Sequence, residues 1–249
     1  TEKLRKYFGV VSAADNVDLQ IEEGVLTSII GPNGAGKTTL INLLTGNILP
    51  DSGKVFFYDE EITYLPIHKR VKKGICRSFQ IMNIFPKLTV FENLQIPVFS
   101  LVNRSLRFFK PVRSYPDVNE RVEKLLAELG MVSKKDLLSG TLSHGDQRLL
   151  EIGLAMASDP KLLFLDEPTA GMNPVERVKV LENIRRLSRE KQSTFVIVEH
   201  DMDIVFSLSD RIVVLHRGQI LADGRPEEIK QNEDVKKVYL GEEILWEKI

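Results

Sequence analysis

Short apolar runs bounded by turn residues alternate along this chain with stretches whose apolar positions recur every three or four residues. The first pattern predicts buried strands and the second amphipathic helices. Val25-Leu26-Thr27-Ser28-Ile29-Ile30 predicts a buried strand, and Leu40, Ile41, Leu43 and Leu44 predict a helix stopping at Gly46. After the turn Pro50-Asp51-Ser52-Gly53, a strand is expected from Lys54 to Tyr58. Val118, Val122, Leu125, Leu126 and Leu129 form a helical stripe, with Asp117 as N-cap, Glu120 three residues on and Gly130 as stop. A further helix follows Ser143 through Leu149, Leu150, Ile152 and Met156. The run Lys161-Leu162-Leu163-Phe164-Leu165 is of the buried parallel-strand type. Asn173-Pro174 opens a helix carrying Val175, Val178, Leu181 and Ile184, and Thr194 to Val198 predicts another buried strand. Arg211 to Leu215 and Gln219 to Ala222 read as a hairpin around Arg217-Gly218. Strands alternating with helices predict an α/β architecture.

One loop gives this pattern a chemical centre. Gly31-Pro32-Asn33-Gly34-Ala35-Gly36-Lys37-Thr38-Thr39 fits G-x-x-x-x-G-K-[ST], and it lies between the first buried strand and the first helix. Glycines let main-chain N–H groups turn towards a polyphosphate, and the new helix points its positive end at the same place. Lys37 then reaches the β- and γ-phosphates, and the Thr38 hydroxyl ligates Mg²⁺. A nucleoside triphosphate site is expected here.

Other candidates fall at the ends of predicted elements. Asp166 and Glu167 follow the run ending at Leu165, where open α/β sheets place their ligands. Asp166 suits the Mg²⁺-associated acid, and Glu167 suits a base polarising an attacking water. His200 follows the strand ending at Val198, the same end of the same sort of strand, and is expected to face the γ-phosphate. Ser143 is a good N-cap, with Asp146 completing a capping box, and Ser143 with nearby N–H groups makes a second anion-binding helix start. Phe8 either stacks on a nucleotide base or is a core strand residue. Gln80, taken singly, is a solvated amide at a strand end.

Bulk properties narrow the classes. The 249 residues carry 34 Lys+Arg against 35 Asp+Glu, a net charge of −1, which gives no electrostatic case for nucleic acid. Cys76 is the single cysteine, which excludes an internal disulfide framework and a cysteine-built zinc site, and it reads as a small buried hydrophobe. No apolar run approaches the roughly 18–20 residues of a membrane span, and no signal-peptide pattern opens the chain, so a cytoplasmic location is expected. Between Glu92 and Asp117 there is no acidic residue, while Arg104, Arg107, Lys110 and Arg113 are interleaved with Phe99, Leu106, Phe108, Phe109 and Tyr115. That stretch is either a basic, partly apolar surface for a partner or anionic lipid, or a solvated insertion.

Together these motifs resemble the ATP-binding subunit of ATP-binding cassette (ABC) transporters over nearly the whole chain. The order matches: an aromatic at Phe8, the phosphate loop, Gln80, Leu142-Ser143-His144-Gly145-Asp146-Gln147, Asp166-Glu167 and His200. The resemblance implies a RecA-like P-loop NTPase core with an antiparallel β subdomain, residues 1–85 and 159–249, and a helical subdomain, residues 86–158, in a single domain. It implies ATP and Mg²⁺ as cofactors, Phe8, Gly31–Thr39, Ser143 and Gly145 as nucleotide contacts, and Glu167, His200 and Gln80 in catalysis. Thr38, Gln80 and Asp166 would be the metal residues. It further implies two such subunits, identical or related, facing head to tail, so that ATP lies on one phosphate loop and under the Ser143/Gly145 helix start of the other. The partners implied are integral membrane permease subunits, a solute-binding protein indirectly, and no nucleic acid, with the chain peripheral on the cytoplasmic face of the membrane.

Arg77-Ser78-Phe79-Gln80, the insertion near 100–116, Ala170-Gly171-Met172-Asn173-Pro174 and the ending Tyr239-Leu240-Gly241-Glu242 are similar to the branched-chain amino-acid uptake group. Two departures from the general pattern stand out: L-S-H-G-D in place of L-S-G-G-Q, and Asn173 where an aspartate is usual. Alternatives are a soluble ABC-type ATPase in iron–sulfur assembly, translation or repair, and a subunit moving another solute such as urea or lipid. A P-loop kinase or GTPase would need neither the 142–147 motif nor His200.

Overall fold

The computed structural model describes residues 1–78, 84–101, 115–190 and 193–240. Gln80 and the basic residues Arg104, Arg107, Lys110 and Arg113 lie outside them, as does the 241–249 ending.

Buried apolar runs build the central sheet. β3 (Thr27–Ile30), β7 (Ile75–Ser78), β8 (Leu162–Asp166), β9 (Thr194–Val198) and β10 (Arg211–His216) are parallel, and β11 (Gln219–Gly224) returns antiparallel beside β10. The strand order is β11-β10-β3-β9-β8-β7. Phe195, Val196 and Ile197 are wholly buried, as expected of strands covered on both faces. The β10–β11 hairpin turns through Arg217 and Gly218, at φ +50° and +78°. Two positive φ values in a two-residue turn match the right-handed strand twist.

A second, antiparallel sheet joins β1 (Glu2–Phe8), β2 (Val11–Val17) and β4 (Ser52–Lys54) in the order β2-β1-β4. The expected strand from Lys54 to Tyr58 is divided: β4 stops at Lys54, and β5 (Phe56–Phe57) pairs with β6 (Glu60–Glu61) in a hairpin of its own. Buried Val55 lies between them, its N–H donating to Thr63 Oγ1 at 3.0 Å and its carbonyl accepting from Ile62. Those bonds take the place of ladder partners and end the strand.

Main-chain contacts seat this sheet on the phosphate loop. Gly218 N–H donates to the Ala35 carbonyl at 2.9 Å, and Asp15 N–H donates to the Gly218 carbonyl at 2.8 Å. A Cβ on Gly36 would lie 2.2 Å from the Ala13 carbonyl, and one on Gly218 2.9 Å from the Ser12 carbonyl. Both positions also hold positive φ, so only glycine fits the junction.

Helix α1 (Lys37–Thr45) ends at Gly46, φ +82°. Behind that end lies Arg70, in α2 (Ile67–Lys73) and wholly buried. Its guanidinium donates to five carbonyls, those of Leu43, Leu44, Ile62, Thr63 and Leu65, at 2.7–2.9 Å. Two of these belong to the last turn of α1, where the helix dipole favours a cation.

Helices α3 (Val90–Leu101), α4 (Pro116–Glu128) and α5 (His144–Met156) share a core through Val90, Leu94, Val118, Val122, Leu149 and Ile152. Pro116 occupies the first position of α4 and Tyr115 its N-cap, so Asp117 lies inside the first turn rather than capping it. Proline's fixed φ and missing N–H favour that first position. Ser143 does cap α5, accepting from Asp146 N–H at 3.3 Å. The other half of the expected box is replaced: the Asp146 carboxylate pairs with Lys134 and with Lys179 at 2.7 Å. Burial raises the Asp146 pKa, and the two lysines more than reverse this, leaving it below its ordinary value. A depressed folded pKa gives stability that is present above the unfolded pKa and lost as pH falls through the folded one. Asp146→Asn is therefore expected to cost ~1 kcal/mol at pH 7, the lysine heads being partly screened by water. Urea titrations should show that gap closing below about pH 4, near the ordinary aspartate pKa.

Cys76 is buried in β7, and burial pushes its thiol up to about 11. A thiol-reactive disulfide reagent at pH 8 is expected to leave it unmodified until the protein is unfolded.

Helices α6 (Pro174–Glu190), α7 (Met202–Leu208), α8 (Pro226–Gln231) and α9 (Glu233–Leu240) complete the described chain. No helix among the described residues is long and apolar enough to cross a membrane.

Candidate functional site

The site lies where three adjacent strands end together. Ile29 of β3 is level with Val198 of β9, and Val198 is level with Asp166 of β8. Neighbouring strands are about 4.8 Å apart, so the phosphate loop, Asp166-Glu167 and His200 leave one edge within two strand spacings.

At the loop, Gly31 and Ala35 are buried, while Asn33, Gly34 and Thr38 are exposed. Pro32, Gly36 and Thr39 are half-buried between them. Lys37 is buried, and its ammonium donates to the carbonyls of Gly31 at 2.6 Å and Pro32 at 3.0 Å, folding the loop around its side chain. The first turn of α1 carries no acidic residue, so nothing there competes with an anion.

Glu167 and His200 meet at the ends of the two neighbouring strands, Nε2 to Oε1 at 2.8 Å, with side chains 44% exposed for His200 and 27% for Glu167. Glu167 holds φ +42°, a left-handed backbone uncommon for a non-glycine residue. Its N–H bonds the Val198 carbonyl at 2.9 Å, and its carbonyl accepts from Ala170. Those bonds hold a conformation that costs of order 1–3 kcal/mol.

Glu199, beside His200, is buried, and burial raises its pKa against the opposing bonds from Thr169 and the His200 amide. Thr169 Oγ1 donates to it at 2.7 Å. The Glu199 oxygens, bonded to Thr169 and the His200 amide, brace the turn from inside.

Asp166 is buried, and its carboxylate pairs with Arg77 of β7. Arg77 also donates to Asn42 Oδ1 of α1 at 2.5 Å. Arg148 of α5 donates to the Asp166 main-chain carbonyl and pairs with Glu151 at 2.8 Å. Sequence reasoning missed Asn42, Arg77 and Arg148 as neighbours of the acid. Only the position of Arg77 on a predicted strand beside Gln80 hinted at one of them.

Phe8 is 52% exposed, which removes the core alternative, and the Lys6 ammonium lies over its ring at 5.7 Å from the centroid. Ser143 and Gly145 are not brought to their own phosphate loop. Ser143 Oγ is engaged with Asp146, and the Gly145 N–H donates to Glu176 at 3.4 Å. Asn173 keeps the capping role an aspartate would have, its Oδ1 accepting from the Val175 and Glu176 amides at 3.1 and 3.0 Å.

Residues 14–170 match the family model described as ABC transporter. The chain belongs to the ABC transporter family. Residues 219–244 of this ABC ATPase also match the model described as branched-chain amino acid ATP-binding cassette transporter. A similar relative is the high-affinity branched-chain amino acid transport ATP-binding protein BraF of Pseudomonas aeruginosa, 42% identical over 240 residues, covering 94% of each chain. Among solved structures, the ADP conformation of an ATP-binding cassette of an ABC transporter is similar at 34% identity and a TM-score of 0.84, covering 96% of this chain and 97% of that one. A dimeric ATP-binding cassette in a post-hydrolysis state bound to ADP and Pi is similar at 25% identity and a TM-score of 0.72, with 90% and 97% covered. The RecA-like core with its antiparallel sheet and helical layer is thus the fold of an ABC ATPase.

Proposed function

We propose that this ABC ATPase energises import of branched-chain or related amino acids, as a peripheral subunit on the cytoplasmic face of a membrane permease. The observation that carries the ATPase part is the shared strand edge, which sets the phosphate loop opposite Glu167 and His200. The match of residues 219–244 supports the solute class.

In this reading the Gly31–Thr39 amides and Lys37 hold the phosphates, and Phe8 stacks on the base. Glu167 takes a proton from a water that attacks the γ-phosphorus as the bond to the ADP oxygen breaks. His200 holds the Glu167 carboxylate in place. The exposed Thr38 hydroxyl and the Asp166 carboxylate are the hard oxygen donors that Mg²⁺ prefers, and Gln80 would join them. When bound there, Mg²⁺ neutralises charge on the phosphates.

Ser143 and Gly145 bond to Asp146 and Glu176 rather than to their own loop, which suits a second ATP-binding subunit, identical or related, whose nucleotide they would cover. A groove of about 320 Å³ between β7, α3 and α5, lined by Arg77, Asn93, Ile96, Pro97, Leu154 and Ala155, suits an apolar segment of a permease. A solute-binding protein would act on that permease from the other side.

Deleting the gene should abolish uptake of radiolabelled leucine, and the tagged chain should copurify with integral membrane permeases. Unchanged leucine uptake would overturn the solute class. Purification free of any membrane protein would favour the soluble alternative.

A further inference from the structure

Asp166 is a buried carboxylate, and its counter-charge is a guanidinium from the neighbouring strand. The Asp166 side chain is 7% exposed and that of Arg77 11%. Burying a lone charge costs several kcal/mol, and the Arg77 guanidinium is the counter-charge that offsets it here. Arg77 is itself anchored, since its other arm donates to Asn42 on the phosphate-loop helix at 2.5 Å. The guanidinium thus bridges α1 and the end of β8, between the loop that takes the phosphates and the acid that takes the metal. It is not saturated there: Arg77 Nε is buried and has no acceptor among the described residues. The same side chain lines the apolar groove.

We infer that Arg77 is a positioning residue that sets the magnesium affinity of the site, standing as the resident counter-charge of Asp166 against which a divalent cation must compete. The inference rests on reading Asp166 as the magnesium-associated acid. Two cations sharing one carboxylate repel each other, so each weakens the other's hold. Arg77 therefore holds the Asp166 carboxylate in a fixed orientation, and keeps the metal's grip loose enough to be reversed when nucleotide leaves. A purely structural arginine would alter stability and leave metal affinity unmoved.

The test uses a fluorescent ADP analogue titrated with and without Mg²⁺, and reads the factor by which the metal tightens nucleotide binding. In Arg77→Gln that factor should rise about three- to tenfold over the parent, the size expected from removing one partly screened competing charge. Arg77→Lys keeps the charge but cannot hold Asn42 and Asp166 together, so it should fall between the two. This variant carries the test if the glutamine protein folds poorly. A factor equal to or below the parent's in the folded variants would overturn the inference. Asp166→Asn separates the two readings, because it should reduce the factor in the parent background. If it leaves the factor untouched, the magnesium reading of Asp166 fails. If it reduces the factor while Arg77 variants behave as parent, only the role of Arg77 fails.

Discussion

Glu167→Gln is expected to bind ATP nearly as the parent does and to hydrolyse it about 10²–10⁴-fold more slowly, the loss typical of a missing general base. The substitution keeps side-chain size, and the amide oxygen can still meet His200 Nε2, now at 2.8 Å from Glu167 Oε1. The left-handed backbone at residue 167 is held by main-chain bonds to Val198 and Ala170, which the substitution does not touch. What disappears is the carboxylate read as the base that accepts a proton from water. With ATP bound and no longer consumed, two chains should stay joined across it. Size-exclusion chromatography in Mg·ATP should then show a dimer that the parent forms only transiently. Turnover at the parent rate would remove Glu167 from the role of base.

Lys37→Ala should lose nucleotide binding itself. The Lys37 ammonium is buried and bonded to the Gly31 and Pro32 carbonyls, so it holds the loop in shape before any phosphate arrives. Removing it deletes a charge-assisted contact to the phosphates, worth ~1.5–3 kcal/mol, or roughly 10–100-fold in affinity. The staple across the loop is lost as well, which adds to the effect. Titration with a fluorescent ATP analogue measures it directly. Near-normal affinity would count against the phosphate-loop reading of residues 31–39.

How much of this was legible in the sequence follows from how local each feature is. The buried strands that reach Ile30, Leu165 and Val198, the helix start after residue 36 and the hairpin at Arg217-Gly218 are written in consecutive residues, and the structure has these elements there, with β8 running one residue further to Asp166. Where two local rules compete, the pattern misleads. Asp117 has cap chemistry, but Pro116 before it prefers the first helical position and moves the cap to Tyr115. Phe56 and Phe57 suit a strand, yet the side chain of Thr63 takes the N–H of Val55 and breaks the ladder before them. The surroundings of Asp166 were not legible, because Asn42, Arg77 and Arg148 come from three elements separated by up to a hundred residues or so and share no spacing with it. Only the parallel register of β7 and β8 brings Arg77 to the acid. Asp146 shows the converse: its position predicts a cap, and its burial beside two lysines turns it into a tie between helices.

The junction at Gly36 and Gly218 bears on how such a protein can diverge. The antiparallel sheet meets the phosphate loop through main-chain atoms: Ala35 carbonyl to Gly218 N–H, and Gly218 carbonyl to Asp15 N–H. No side chain takes part in those two bonds; the Asp15 carboxylate adds one more tie, accepting from Gln219 Nε2 at 2.8 Å, so a substitution there removes that tie and leaves the main-chain bonds. The restriction falls hardest on the two glycines, where any Cβ would meet main-chain atoms. A change on the outer surface of this sheet can therefore alter what the sheet meets while its main-chain seat on the 31–39 loop stays in place.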